Sequence, residues 1–153
     1  MLGGFSIATP PGAREVMKLQ HRMTNSARVL NLYGHGHSHM RRFAAWLERD
    51  GERTLLFEDY DWQHPTVLLF DSVTTNPAPE RSALRAGGYT GQLNFEAGDV
   101  LAWECEVENT TEVTLRYRNE VETGEMCNIF GEYVGNGGGL GNQALAGEAT
   151  RLD

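Results

Sequence analysis

Three of the chain's five histidines fall in one short run, His35-Gly36-His37-Ser38-His39, and far downstream Met126 stands beside Cys127. In an extended strand alternate side chains lie on one face, roughly 7 Å apart, so the spacing predicts that His35, His37 and His39 project together. Two such imidazoles can grip one metal ion. Imidazole suits copper, zinc, iron and nickel, whereas a thioether selects soft Cu(I). Two histidines and one methionine would hold Cu(I) with a position open to dioxygen. On its own strand Met126 points away from Cys127 and Ile129. If those two face the core, the thioether is free to turn toward the histidines and Cys127 can meet Cys105. The plain alternatives are a solvated histidine strand and a methionine that fills space beside a cysteine. A cupin site would want a glutamate shortly after the histidines, and Met40, Arg41 and Arg42 stand there instead.

The elements that must position these groups read as strands. At 153 residues the chain is long enough for one domain with a sizeable core. Its 18 glycines and few helix-forming runs point to strands and turns. A net charge of −8 argues against nucleic acid as a partner, because phosphate binding needs a basic surface. No stretch approaches the run of about 20 apolar residues that spans a bilayer. The two cysteines lie on neighbouring strand patterns, which favours a disulfide and an oxidising compartment over two buried thiols. Met1 to Pro11 lacks a basic start and a long apolar centre, so any export signal is expected to lie outside this sequence.

Along the chain, a short strand is expected before the Pro10-Pro11-Gly12 turn. Val16 to Met23 alternates, with Met17, Leu19, His21 and Met23 on one face, a short helix being the rival. Val29 to Leu32 begins a strand that leads into the histidines. Phe43 to Glu48 and Thr54 to Phe57 form a hairpin around Asp50-Gly51. The apolar run Val67-Leu68-Leu69-Phe70 precedes a long loop, Asn76 to Gly91. Leu101, Trp103, Cys105 and Val107 alternate with Glu104, Glu106 and Glu108, which reads as a half-buried strand. Val113, Leu115 and Tyr117 alternate with Thr114, Arg116 and Arg118, and those arginines are expected to face the glutamates across strands. Met126 to Val134 is the last strand of a domain spanning 1–134, and 135–153 is a Gly-rich flexible tail. Eight or nine strands and no long helix predict an all-β antiparallel β-sandwich of jelly-roll type.

The run His35 to Arg41, the turn and strand Gly98-Asp99-Val100-Leu101, Cys105 and the element Glu125-Met126-Cys127-Asn128 together resemble the C-terminal domain of the copper type II, ascorbate-dependent monooxygenases. That family includes the peptidylglycine alpha-hydroxylating and dopamine beta-monooxygenases. The resemblance runs from about Gly3 to Val134. It implies that His35, His37 and Met126 bind a catalytic copper, with Arg41 where the family has a basic residue. His39 is then an extra histidine and an alternative ligand. It also implies a Cys105–Cys127 disulfide that holds the methionine segment. Departures fall at the substrate anchor. The peptide-amidating members have an arginine and a tyrosine where this chain has Tyr33 and Phe130, so peptide amidation is not expected. An apolar or aromatic substrate suits Tyr33, Phe130 and Trp62 better.

Three expectations of different class follow. The first is a copper monooxygenase domain that takes dioxygen and a small-molecule substrate, with electrons from ascorbate or another reductant passed through a separate electron-transfer copper domain or protein. Such a domain belongs in the periplasm or outside the cell. The second is a non-catalytic copper-binding or structural, assembly-type β-sandwich. The third is a β-sandwich recognition module with incidental histidines.

Overall fold

Register, more than composition, decides which side chains this chain buries. A computed structural model describes residues 7–69 and 92–135 with their side chains, and 146–152 as backbone. The expected loop over 76–91 lies outside the described residues. Every described element is a strand: β1 Ala8–Thr9, β2 Arg14–Arg22, β3 Ala27–His35, β4 Met40–Arg49, β5 Glu52–Asp59, β6 Val67–Leu69, β7 Asn94–Phe95, β8 Val100–Glu108, β9 Leu115–Tyr117, β10 Gly124–Glu125, β11 Asn128–Gly135 and β12 Ala146–Leu152. Among the described residues no helix is long and apolar enough to cross a membrane.

A five-stranded antiparallel sheet runs β12-β2-β8-β4-β5. A second sheet has β3 at its centre, flanked by β11 on one edge and by β6 and β7 on the other. A small third sheet, β1-β9-β10, includes one parallel pairing, β9 with β10. One apolar core joins the two larger sheets. Met17, Phe43, Trp103 and Val107 enter it from the first, and Leu32, Leu68, Phe95 and Ile129 from the second. The chain is therefore all-β, with several antiparallel sheets arranged as in a sandwich.

The alternating patterns explain most of this. Met17, Leu19 and His21 of β2, with Met23 just beyond it, are buried, while Lys18, Gln20 and Arg22 face out, so the helical rival is excluded. Leu101, Trp103, Cys105 and Val107 are buried along β8 as the pattern predicts. Asp50 and Gly51 form the expected tight turn, both at positive φ (52° and 83°), with Arg49 opposite Glu52. A register shift between Ala45 and Trp46 leaves Leu56 as the extra residue of β5, and Leu56 and Phe57 are both buried despite being consecutive.

Four expectations change. The histidine run is not one strand: β3 ends at His35, and His37 and His39 sit in the turn before β4. Arg116 and Arg118 do not face the glutamates of β8. Glu106 is paired with Arg14 of β2, and Glu104 and Glu108 with Arg42 and Arg41 of β4, because β2 and β4 are the strands hydrogen-bonded to β8. The alternation from Val113 shrinks to β9, where Leu115 is buried and Val113 lies outside the strand and exposed. The stretch 135–153 contains β12, paired along its length with β2 from Leu152↔Arg14 to Ala146↔Gln20.

Candidate metal centre

The β3–β11 ladder sets which groups share a face. Asn128 lies opposite His35 and Phe130 opposite Tyr33, and directly opposed residues of an antiparallel pair project on the same side. The rings agree with the register. Tyr33 and Phe130 stack at 5.5 Å, nearly parallel, and Phe130 meets His35 edge-on at 5.8 Å. Met126 joins that face, because Asn128 Nδ2 donates to its Sδ at 3.5 Å. Ile129, one residue on, points into the core, as do Cys127 and its disulfide partner Cys105 on β8. The disulfide thus ties the methionine segment to the centre of the opposite sheet. Trp103 Nε1 adds a hydrogen bond to the Cys127 carbonyl.

His35 and His37 come together although they are not on one strand. Their ring centroids are 5.3 Å apart and the planes are nearly perpendicular. Gly36 between them allows the bend: a Cβ there would fall 2.7 Å from Met40 Sδ and 3.0 Å from Met40 Cβ. The turn is then clamped to the 121–125 segment. Ser38 Oγ donates to the Val121 carbonyl, His37 Nδ1 lies 3.2 Å from the Gly124 carbonyl, and His39 Nε2 lies 3.0 Å from that of Glu122. A carbonyl only accepts, so His37 carries its proton on Nδ1 and presents an unprotonated Nε2, the form a metal requires. His39 spends its Nε2–H on the loop, leaving Nδ1 as its remaining acceptor. Burial holds the His35 and His37 imidazoles below their ordinary pKa, and each neighbouring imidazole adds to the effect. The Gly124 contact opposes it at His37.

Glu125 is the residue whose importance the sequence pattern did not single out. Its side chain is fully buried, and its Oε1 accepts the backbone N–H of His37 at 2.5 Å and of Met126 at 2.7 Å. Among the described residues Oε2 has no hydrogen-bond partner, and neither has Asn128 Oδ1. Burial pushes the Glu125 carboxyl up to about 7, against the two bonded amides of Met126 and His37, the nearby His39 amide and the charge of Arg41, which favour the carboxylate. The available signal was an acid placed directly before the apolar pair Met126-Cys127. Arg41 itself pairs with Glu108 and donates to the Ser38 carbonyl. Trp62 packs against the core.

His35 and His37 are ring neighbours, and Met126 touches Asn128, the residue opposite His35, beside a half-buried aromatic shelf. Among the described residues no group of three or more His, Cys, Asp or Glu side chains converges on a metal-sized site. The chain matches no family model, and no curated protein matches it.

Proposed function

We propose that the chain is the copper-binding, oxygen-activating domain of a copper-dependent monooxygenase that hydroxylates a C–H bond of a small, apolar or aromatic substrate. One juxtaposition carries the reading: the perpendicular rings of His35 and His37, with centroids 5.3 Å apart, next to Asn128, which lies opposite His35 and donates to the sulfur of Met126. Copper held by those three residues would supply the reduction of dioxygen that hydroxylation needs. The donor set fits such an ion, because two imidazoles with one thioether favour Cu(I) over harder cations. The clamp on His37 Nδ1 fixes its ring and its tautomer before any metal arrives. Tyr33 and Phe130 line the face next to His35 and offer a flat aromatic surface that suits an apolar or aromatic substrate. Ascorbate or another reductant would serve as electron donor, through a separate electron-transfer copper domain or protein. The same reading arranges the sheets as a jelly roll, and the Cys105–Cys127 disulfide suits a periplasmic or extracellular setting.

The test is copper titration of wild type and Met126→Ala. The wild-type chain is expected to take up about one copper, and the variant to lose about tenfold or more in Cu(I) affinity with a smaller loss for Cu(II), since the thioether is selective for the soft ion. Unchanged Cu(I) affinity would remove Met126 from the site. Ascorbate-driven oxygen consumption, with and without an electron-transfer copper domain, then separates an enzyme from a non-catalytic copper-binding or assembly protein. Full copper loading without turnover under either condition would favour the latter.

A further inference from the structure

Met126 and His37 both lie where regular pairing stops. β10 ends at Glu125 and β11 starts at Asn128, so the Met126 amide belongs to no ladder. The His37 amide lies in the turn after β3 and belongs to none either. Buried backbone donors need an acceptor, and here a single atom serves both, Glu125 Oε1. Glu125 lies next to Met126 and 88 residues from His37, so a side chain fully removed from solvent joins two distant segments. A buried carboxyl group is an expensive way to satisfy two amides. Its distinguishing property is geometric: it fixes two segments to one point.

From this we propose that Glu125 is the positioning residue of the centre, its Oε1 setting the separation between the imidazole turn and the thioether segment. The inference rests on the copper reading above and adds to it how the donors are held in register. Oε1 is an acceptor whether the group is ionised or protonated, so the bridge does not depend on the charge. An amide oxygen at the same reach would serve. A carboxylate one methylene shorter would still have its own neighbour, Met126, but would fall short of His37.

Glu125→Gln and Glu125→Asp therefore separate a bridge from a charge and from a generic fold contact. Two readouts are needed on the full chain: amide hydrogen exchange of the metal-free protein by NMR, and Cu(I) affinity by competition with a chromogenic chelator. In Glu125→Asp the His37 amide is expected to exchange faster while Trp103 and Cys105 stay protected. Cu(I) affinity should fall about tenfold, the range in which supports of metal ligands act. Glu125→Gln is expected to restore both. Wild-type affinity in Glu125→Asp, or a loss in Glu125→Gln as large as in Glu125→Asp, would overturn the proposal. Failure of the wild-type chain to bind copper would overturn the copper reading and this role with it. Wild-type uptake retained by Glu125→Asp would overturn this role alone.

Discussion

The outer face of the five-stranded sheet and the corner that holds the histidines are both rich in polar groups, yet they are built on opposite plans. On the sheet, Arg42 sits between Glu58 and Glu104 and against the Trp46 ring, and Arg14 reaches Glu106, each from the adjacent strand. These side chains keep from 15% to 56% of their surface in water, so each pair adds less to stability than a fully buried one. In the corner, His37, His39 and Glu125 are buried and bonded to backbone atoms. A buried polar group that loses its partner costs far more than a surface pair gains. The sheet therefore tolerates change, whereas the corner holds one arrangement or fails.

The largest expected effect comes from the crosslink that joins the two regions. Removing it with Cys105→Ala and Cys127→Ala together should lower unfolding free energy by about 3 kcal/mol, from the entropy of a 22-residue separation in the unfolded chain. Urea titration of the double variant measures it. The comparison predicts an uneven result. Amides of β8 and β4 keep their protection, while those of residues 124–129 lose theirs, because the ladder holds the former and the disulfide helps to hold the latter. Uniform loss across both regions would show that corner and sheet unfold as one unit.

That contrast also explains what could be read in advance. Strand β8, strand β2 and the Asp50-Gly51 hairpin were legible because a period of two, or a residue pair suited to positive φ, states the structure locally. The disulfide was legible because only two cysteines exist. The histidine run misled for the same reason. Its alternation predicts a strand to His39, but Gly36 and the carbonyls of Val121, Glu122 and Gly124 turn the chain after His35. Backbone carbonyls leave no mark in residue type, so nothing in the sequence announces them. Glu125 was visible as part of a short element, but its double acceptor role needs the His37 amide, which only the tertiary fold supplies. β12 was hidden because its stretch reads as glycine-rich and polar, while its pairing depends on the open edge of β2.

A buried acid at the far end of the sheet offers a middle case. Asp99 accepts from Arg49 Nε and Nη2 and from the Glu96 amide, in the turn that leads into β8. The Arg49 hydrogen bonds hold its carboxyl below the usual range, with the Glu96 amide assisting and burial opposing. A carboxylate with a depressed folded pKa contributes stability that is complete above the unfolded value of 3.8 and lost as pH falls through the folded value. Wild type should thus weaken on acidification below that point, and Asp99→Asn should flatten this part of the curve. At neutral pH, loss of charge-assisted hydrogen bonds should cost the variant about 2 kcal/mol. Thermal melts from pH 7 to 3 give both numbers. A wild-type curve that keeps the same slope in Asp99→Asn would assign the acid sensitivity to other carboxylates.

The smallest effect sharpens the comparison most. Arg14 is more than half exposed, and although its partner Glu106 is mostly covered, Arg14→Ala should cost about 0.5 kcal/mol, the usual worth of a pair held by a solvated side chain. Raising ionic strength to about 1 M should erase most of the difference, because screening shortens the reach of surface charge. The register of β2 on β8 should survive, since Met17 and Leu19 on the buried face fix it and a one-residue slip would turn both toward water. Urea unfolding at low and high salt tests the size of the effect, and amide exchange along β2 tests the register. A loss above about 1.5 kcal/mol that persists in salt would exceed what an exposed pair supplies. The sheet's charges would then carry structure as the corner's buried groups do, and the division between a tolerant face and an exacting one would fall.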